Sequence, residues 1–340
     1  MKQRLAAFKY AKVGKAYIMT GIAVLGAGAF GTALAISLSS VRDDVVLWGR
    51  SIEQIAQMSV VRTNTRRLPG CNFPDALGLT SDLVDACRAD IILLSMPMQM
   101  LSQFVERNAA LLAGKKLVSC CKGIDLATGR GPIEVLNDLA PNSQVAILSG
   151  PSFATDIADG LPTALTIASK DEALVSQLQS ALTTKTIRLY SSLDPVGVEF
   201  GGALKNVMAI ACGITMGAGL GESARAALMT RGNIEMQRLA TAQGAQPQTL
   251  SGLSGFGDLV LTCTSSKSRN FSHGLKLGRG EAIDPTITVE GVATAYAVAK
   301  LAVERGIEMP ITNVVRDILE SSITITEAVE LLLSRPLKRE

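Results

Sequence analysis

Three stretches of this sequence carry residue types that can do chemistry. In the first, Gly26-Ala27-Gly28-Ala29-Phe30-Gly31 sits between the apolar run Ile22-Ala23-Val24-Leu25 and the helical Thr32-Ala33-Leu34-Ala35-Ile36. A GxGxxG motif alone says little, but between a strand and a helix it reads as a dinucleotide-binding turn. Gly26 permits the tight turn, Gly28 lets backbone approach a pyrophosphate, and Gly31 lets helix pack on strand. The phosphates would lie at the positive end of the helix. In the second stretch, Lys205 stands alone in the apolar, small-residue helix Gly201–Ile210. An amine there is costly to bury unless something pairs with it or uses it, or else it snorkels to the surface. In the third, Asp258 lies between glycines and an apolar run, where a carboxylate can orient a lysine or a substrate hydroxyl. The clustered donors Ser268, Arg269 and Asn270 follow it, and an arginine binds phosphate through two parallel hydrogen bonds. By spacing alone that cluster also reads as an ordinary loop.

Together these stretches suggest hydride transfer at an alcohol carbon, which needs a group to handle the hydroxyl proton. The only histidine, His273, lies in a polar segment and reads as a surface residue. A lysine whose pKa is lowered by burial or by another cation is the next candidate, which points to Lys205. The end of the second strand bears on cofactor choice. An acid roughly 20 residues past the first glycine commonly binds the ribose 2′-hydroxyl of NAD. Here Arg50, followed by Ser51, stands there with no acid. That suits a 2′-phosphate, so the expected cofactor is NADPH or NADH with NADPH preferred. If Arg50 instead stacks on the adenine, both serve equally.

The elements that must position these residues alternate in the first half of the chain. Expected strands are 22–25, 45–48, 91–95, 117–120, 145–148, 163–168 and 187–190, with helices over 31–38 and 99–112 among the segments between them. Near-continuous apolar strands alternating with helices imply a parallel sheet covered on both faces. After Tyr190 strand signals fade. Asp194-Pro195 reads as a helix start, and Ala, Leu, Met and Gly recur at helical spacing. The expected fold class is an α/β Rossmann-type N-terminal domain followed by an all-α C-terminal domain. The expected boundaries are a basic extension over 1–19, a dinucleotide-binding domain over 20–192 and a helical substrate and dimerisation domain over 193–340.

Composition excludes several alternatives. The 340 residues are 47% hydrophobic and 19% charged, ample for two cores and unlike a disordered chain. The net charge of +3 comes from the first eighteen residues, where Lys2, Arg4, Lys9, Lys12 and Lys15 meet no acid; the remainder has 28 basic residues against 30 acidic. That balance argues against a nucleic-acid partner. Lysines interrupt any apolar core of a secretory signal, and the apolar stretch 207–220 is shorter than a membrane span, so no integral membrane association is expected. Six cysteines show no CxxC pair and no zinc spacing, and one histidine cannot build a multi-histidine zinc site, so no metal is expected. Free thiols fit a reducing cytoplasm.

The ordered motifs GAGAFGTALA (26–35), VVLWGR (45–50), CKGID (121–125), LSGPSFA (148–154), GGALKNVMAI (201–210), GLSGFGDLVLTCT (252–264), SRN (268–270) and VEG (289–291) span most of the chain. In them the sequence resembles the bacterial NAD(P)-dependent glycerol-3-phosphate dehydrogenases. The resemblance implies reversible reduction of dihydroxyacetone phosphate to sn-glycerol 3-phosphate for phospholipid synthesis, with the active site between the two domains. It implies Lys205 as the proton-handling base, with Asp258 beside it and Lys122 close to substrate and nicotinamide. Gly150 and Ser152 would contact substrate, Ser268, Arg269 and Asn270 the substrate phosphate, and Arg269 the cofactor as well. Gly26, Gly28, Ala29, Phe30, Gly31, Arg50, Lys122, Ala154, Thr288 and Glu290 would line the cofactor. Asn206 resembles the family residue beside the base. A cytoplasmic homodimer is implied too. The sequence departs from the pattern at Ala29 and Phe30, where a serine and a Trp or Tyr are usual, at Arg67, where an aromatic is common, and in its basic extension. Two rivals remain: a lysine-based β-hydroxy acid dehydrogenase of the same plan, and a non-catalytic dinucleotide sensor.

Overall fold

Ile22 and Val24 enter one apolar core while Ala23 and Leu25 enter another, so the first sheet strand has no polar face to show. The same division holds at Val45 and Leu47 against Val46. This is why these runs are continuously apolar rather than alternating. The computed structural model describes residues 11–13, 16–18, 21–285 and 287–334, and the described residues form two units.

The first unit falls within Met1–Cys121, Ile133–Leu148 and Ser152–Leu193. A short antiparallel hairpin pairs β1 (Ala11–Val13) with β2 (Ala16–Ile18), and most of the expected basic extension lies outside the described residues. The strands that follow are β3 (Ile22–Leu25), β4 (Val45–Trp48), β5 (Thr63–Asn64), β6 (Leu68–Asn72), β7 (Gly78–Thr80), β8 (Ile91–Leu94), β9 (Lys116–Ser119), β10 (Gln144–Ser149), β11 (Thr163–Ala168) and β12 (Ile187–Ser192). Eight of them make one sheet in the order β12-β11-β10-β9-β8-β3-β4-β7. The pairs of β3 with β4 and with β8 are parallel, as are β4–β7, β8–β9, β9–β10 and β11–β12. From β3 the chain moves outward to β4 and then returns to β8 on the other side. The carboxyl end of β3 is therefore the switch point at which such sheets bind ligands. Helices α1 (Ala29–Ser39), α2 (Ile52–Val61), α3 (Leu83–Ala86), α4 (Met98–Leu112), α5 (Pro132–Leu139), α6 (Ala154–Ala158) and α7 (Glu172–Leu182) connect the strands. Strand β7 and the β5–β6 hairpin have no counterpart among the expected elements. At three residues β7 and at two residues β5 are too short to show a periodicity, and in the five-residue β6 Pro69 and Gly70 mask the strand signal.

The second unit takes in Lys122–Pro132, Ser149–Pro151 and everything from Asp194. The first two segments are ones that a boundary near residue 193 assigns to the dinucleotide-binding domain. From Asp194 on, the described residues form only helices: α8 (Pro195–Gly217), α9 (Glu222–Ala242), α10 (Pro247–Leu250), a π-helical turn at Leu253–Gly257, α11 (Asp258–Thr264), α12 (Arg269–Arg279), α13 (Glu290–Arg305), α14 (Pro310–Leu319) and α15 (Ile325–Leu333). Asp194 caps α8 by accepting from Gly197 N at 2.9 Å, with Pro195 in the first turn. Helix α8 is long and apolar enough to cross a membrane, which the shorter stretch 207–220 did not suggest. Its most apolar window, however, is 89% buried inside the protein, as befits a core helix. Its glycines explain the tight packing. A Cβ at Gly213 or Gly217 would collide with the Phe271 or Leu275 carbonyl of α12, and one at Gly274 or Gly278 of α12 would collide with the Ile210 or Ile214 carbonyl of α8. All six cysteines are buried free thiols.

Candidate active site

In the first unit the GxGxxG turn is built from backbone. Gly26 has φ +125°, and a Cβ there would collide with the Ser95 carbonyl; one at Gly31 would collide with the Gly26 carbonyl. Gly28 differs: a Cβ added there would meet nothing within 4 Å. It caps α1 without a side-chain bond, and the first turn of α1 holds no acid. The first-turn amides of α1 have no partner within the helix, which makes this end a site for an anion. Open space at Gly28 beside those amides fits the pyrophosphate of a dinucleotide. Ala29 and Phe30 occupy that first turn. Asn64, 1% exposed, pins the turn from the side, its Nδ2 donating to Ala27 O at 3.0 Å and Thr32 Oγ1 at 2.9 Å. Sequence reading missed Asn64, because nothing local marks a residue whose partners lie over thirty positions away.

Beyond β4, Gly49 N donates to Thr80 O, and Arg50 follows it exposed to solvent. Ser51 is committed elsewhere: its Oγ caps α2, accepting from Gln54 N at 3.1 Å and donating to Glu53 at 2.9 Å. The expected anion contact here thus falls to Arg50. Ser152 and Ala154 also lie in this unit, half-buried, with Ala154 opening α6.

The charged residues gather in the second unit. Lys205 is 6% exposed and Asp258 fully buried. Lys205 Nζ donates to Asp258 Oδ1 at 2.7 Å and to Thr262 Oγ1 at 2.7 Å. Lys122 Nζ donates to the other oxygen, Asp258 Oδ2, at 2.7 Å and to the Gly150 carbonyl at 3.3 Å. Gly150 itself has φ +149°, where a side chain would be strained. One carboxylate thus holds two ammonium groups. The π-helical turn runs directly into Asp258 at the start of α11, and such turns recur at functional sites. Gly201, one turn before Lys205, admits the turn: a Cβ there would stand 2.7 Å from Ser254 O. Asp258 and Thr262, four apart on α11, present both partners on one face.

Burial pushes the Lys205 amine down and the Lys122 charge pushes the same way. Asp258 opposes them, and the net is about 8 against an ordinary 10.5. An amine titrating near 8 can both give and take a proton close to neutral pH. His273 lies on α12, half-buried, and burial followed by Lys276 lowers its pKa; it has no hydrogen bond to this cluster. Among the described residues no group of His, Cys, Asp and Glu is arranged to hold a metal.

The SRN segment opens α12. Ser268 is its cap, accepting from Phe271 N at 3.2 Å, and Arg269 is exposed in the first turn. Asn270 points inward, to Asn206 and to Gly291. Glu290 starts α13 and Thr288 is exposed just before it. Within the second unit the structure therefore brings together Lys205, Lys122, Asp258 and Gly150, and separately Asn206, Asn270 and the VEG segment. Thr262 is the neighbour of Lys205 that sequence reading did not single out. Its position four residues past Asp258 was the signal available.

Comparison with known proteins gives the family of the chain. Residues 21–175 match the family described as NAD-dependent glycerol-3-phosphate dehydrogenase N-terminus, and residues 194–330 match its C-terminus. A glycerol-3-phosphate dehydrogenase (NAD(P)+) of Ruegeria sp. is 58% identical over 94% of this chain and 99% of its own length. That of Roseobacter denitrificans is 55% identical over the same shares. The crystal structure of glycerol-3-phosphate dehydrogenase from Coxiella burnetii superposes with a TM-score of 0.87 at 37% identity, covering 93% of this chain and 99% of that one. A glycine turn shaped for a dinucleotide, a buried lysine–aspartate cluster and matches to both halves lead to one conclusion: the chain belongs to the NAD-dependent glycerol-3-phosphate dehydrogenase family.

Proposed function

We propose that this protein reversibly reduces dihydroxyacetone phosphate to sn-glycerol 3-phosphate with NADPH or NADH, supplying the glycerol phosphate backbone of phospholipids. The observation that carries the reading is Lys205, buried, paired with Asp258 and titrating near 8, in a chain of this family. When bound, the nicotinamide supplies the hydride that substrate C2 receives. Gly26, Gly28, Ala29, Phe30 and Gly31 hold the pyrophosphate through backbone amides, and Arg50 takes a 2′-phosphate. Ala154, Thr288, Glu290, Arg269 and Lys122 complete the cofactor contacts.

Lys205 Nζ gives a proton to the developing C2 alkoxide and takes it back in the reverse direction. Asp258 holds Lys205 in place and balances its charge. Lys122, on the other oxygen of Asp258, donates to the substrate. The Ser268 hydroxyl and the Arg269 guanidinium, at the N-terminus of α12, bind the substrate phosphate with the Asn270 segment. Binding energy at this remote phosphate fixes the geometry at the reacting carbon. Gly150 and Ser152 bound the substrate. The protein works as a cytoplasmic homodimer.

The test is a steady-state assay of NADPH and NADH oxidation with dihydroxyacetone phosphate as the only acceptor. Saturable turnover is expected, whereas turnover only with a β-keto acid would overturn the reading in favour of a related reductase. Sedimentation of the purified protein at twice the chain mass is the expected result for the dimer.

A further inference from the structure

Lys122 reaches Asp258 on a long, flexible stem, and something has to hold its backbone still. Its Nζ donates to Asp258 Oδ2 at 2.7 Å and to the Gly150 carbonyl at 3.3 Å, with the side chain 17% exposed. Rotamer freedom opposes any single placement of a lysine, so its ammonium stays on one oxygen only if its Cα is fixed. No helix or strand does the fixing, because Lys122 lies in the segment between β9 and α5.

That segment, Lys122–Pro132, is fastened to the helical unit along its length. Gly123, at φ +133°, turns the chain after Lys122. Ile124 is 0% exposed and belongs to the apolar core that also holds Leu204 and Leu259, the neighbours in sequence of Lys205 and Asp258. Leu126, the other large apolar side chain of the segment, is 43% exposed and anchors nothing. Asp125 closes the turn that follows Ile124. Its Oδ1 accepts from Ala127 N at 3.1 Å, Thr128 N at 2.9 Å and Thr128 Oγ1 at 2.8 Å, and its own N donates to Arg130 O at 2.9 Å. Both ends of the segment lie on α8. A Cβ at Gly131 would collide with the Glu199 carboxylate, and one at Gly202 would stand 3.7 Å from Lys122 Cγ.

We propose that Ile124 is a positioning residue: seated in the helical core, it holds the Lys122 ammonium on Asp258 Oδ2, opposite Lys205. The roles of the two lysines rest on the functional reading given above. Ile124 has no polar side-chain atom, so it acts only through Lys122. The consequence falls on Lys205. Burial lowers its amine, Asp258 raises it and Lys122 lowers it again; the titratable groups facing it are Asp258 and Cys263 on α11 and Lys122 on this segment. With Lys122 displaced, Asp258 would serve Lys205 alone and the amine would titrate higher.

The titration of Lys205 tests this directly. In ligand-free protein carrying carbon-13-labelled lysine, the Lys205 Cε signal is assigned by its loss in Lys205→Arg and followed against pH. In Lys122→Met the midpoint is expected to rise by about one unit, as a like charge is removed. In Ile124→Ala it should rise in the same direction by about half as much, and adding Ile124→Ala to Lys122→Met should raise it no further. An unmoved midpoint in Ile124→Ala would overturn the proposal. So would a rise that persists with Lys122 already gone, since Ile124 would then act through the core and not through Lys122. Ile311→Ala makes the same deletion in the same core from α14, so the melting temperature should fall while the midpoint holds; an equal midpoint shift there would also overturn it. Ile124→Val, which leaves a smaller cavity, covers the case in which Ile124→Ala does not fold, and should move the midpoint upward by less. The alkaline decline of kcat/KM for dihydroxyacetone phosphate should follow the midpoint. A parent enzyme that fails to reduce dihydroxyacetone phosphate would instead refute the functional reading, leaving the titration to decide the role of Ile124.

Discussion

In the proposed reaction the glycine turn after β3 and the lysine cluster on α8 and α11 face the same problem, an anionic ligand, and solve it by opposite means. The turn uses backbone amides and leaves Gly28 empty of side chain. The cluster uses side-chain charge, two ammonium groups on one buried carboxylate. A backbone site is therefore damaged by adding atoms, and a side-chain site by removing them.

The largest break in that contrast is expected at Lys205. Lys205→Ala removes the proton carrier and should lower kcat by about 10²- to 10⁴-fold, the usual contribution of a general acid. NADPH affinity, measured by fluorescence titration, should hardly move; turnover retained at the parental rate would refute the assignment.

Next come two additions of one methyl group at neighbouring glycines. Gly26→Ala forces a side chain into the Ser95 carbonyl at φ +125°, so the protein should lose roughly 1–3 kcal/mol or more of stability, seen as a lower melting temperature. Gly28→Ala meets nothing in the protein, so the melting temperature should hold while KM for NADPH rises about 10-fold or more as the methyl intrudes on the pyrophosphate. Equal losses of stability in both variants would remove the distinction.

Arg50→Ala sharpens the contrast, since this exposed side chain is the one proposed to meet the cofactor through a charge rather than through backbone. The ratio of kcat/KM with NADPH to that with NADH should fall about tenfold, the worth of one charge-assisted hydrogen bond. An unchanged ratio would mean that Arg50 does not meet a 2′-phosphate.

The smallest effect is expected from pH and from Thr262. With Lys205 titrating at about 8, reduction should decline as pH rises through 8, because the acid form is lost, and oxidation should rise over the same range. Thr262→Val removes an acceptor that favours the charged amine, so both limbs should move to lower pH. A shift to higher pH would contradict that role.

Much of this was legible in the residues themselves. The sheet strands announced themselves because apolar side chains must cover both faces, and strand β3 with its glycine turn is a local pattern. Lys205 was conspicuous as a charge in an apolar helix, and the ordered motifs led to the family. Less legible were short elements such as β7 and long-range partners such as Asn64. The membrane-length helix is a further case, since burial inside the protein and not composition distinguishes a core helix from a span.

The sequence by itself determined which residue types were available, a dinucleotide turn followed by a lysine and an aspartate, because backbone preference and hydrophobic periodicity act over a few residues. Only the tertiary structure decided that Asp258 bridges Lys205 and Lys122 and that Thr262 joins them. It alone turned the Asn270 side chain to Gly291 and Asn206. Those partnerships join positions 21 to 136 residues apart, and hydrogen bonds and charges act through distance in space, which a linear pattern does not record.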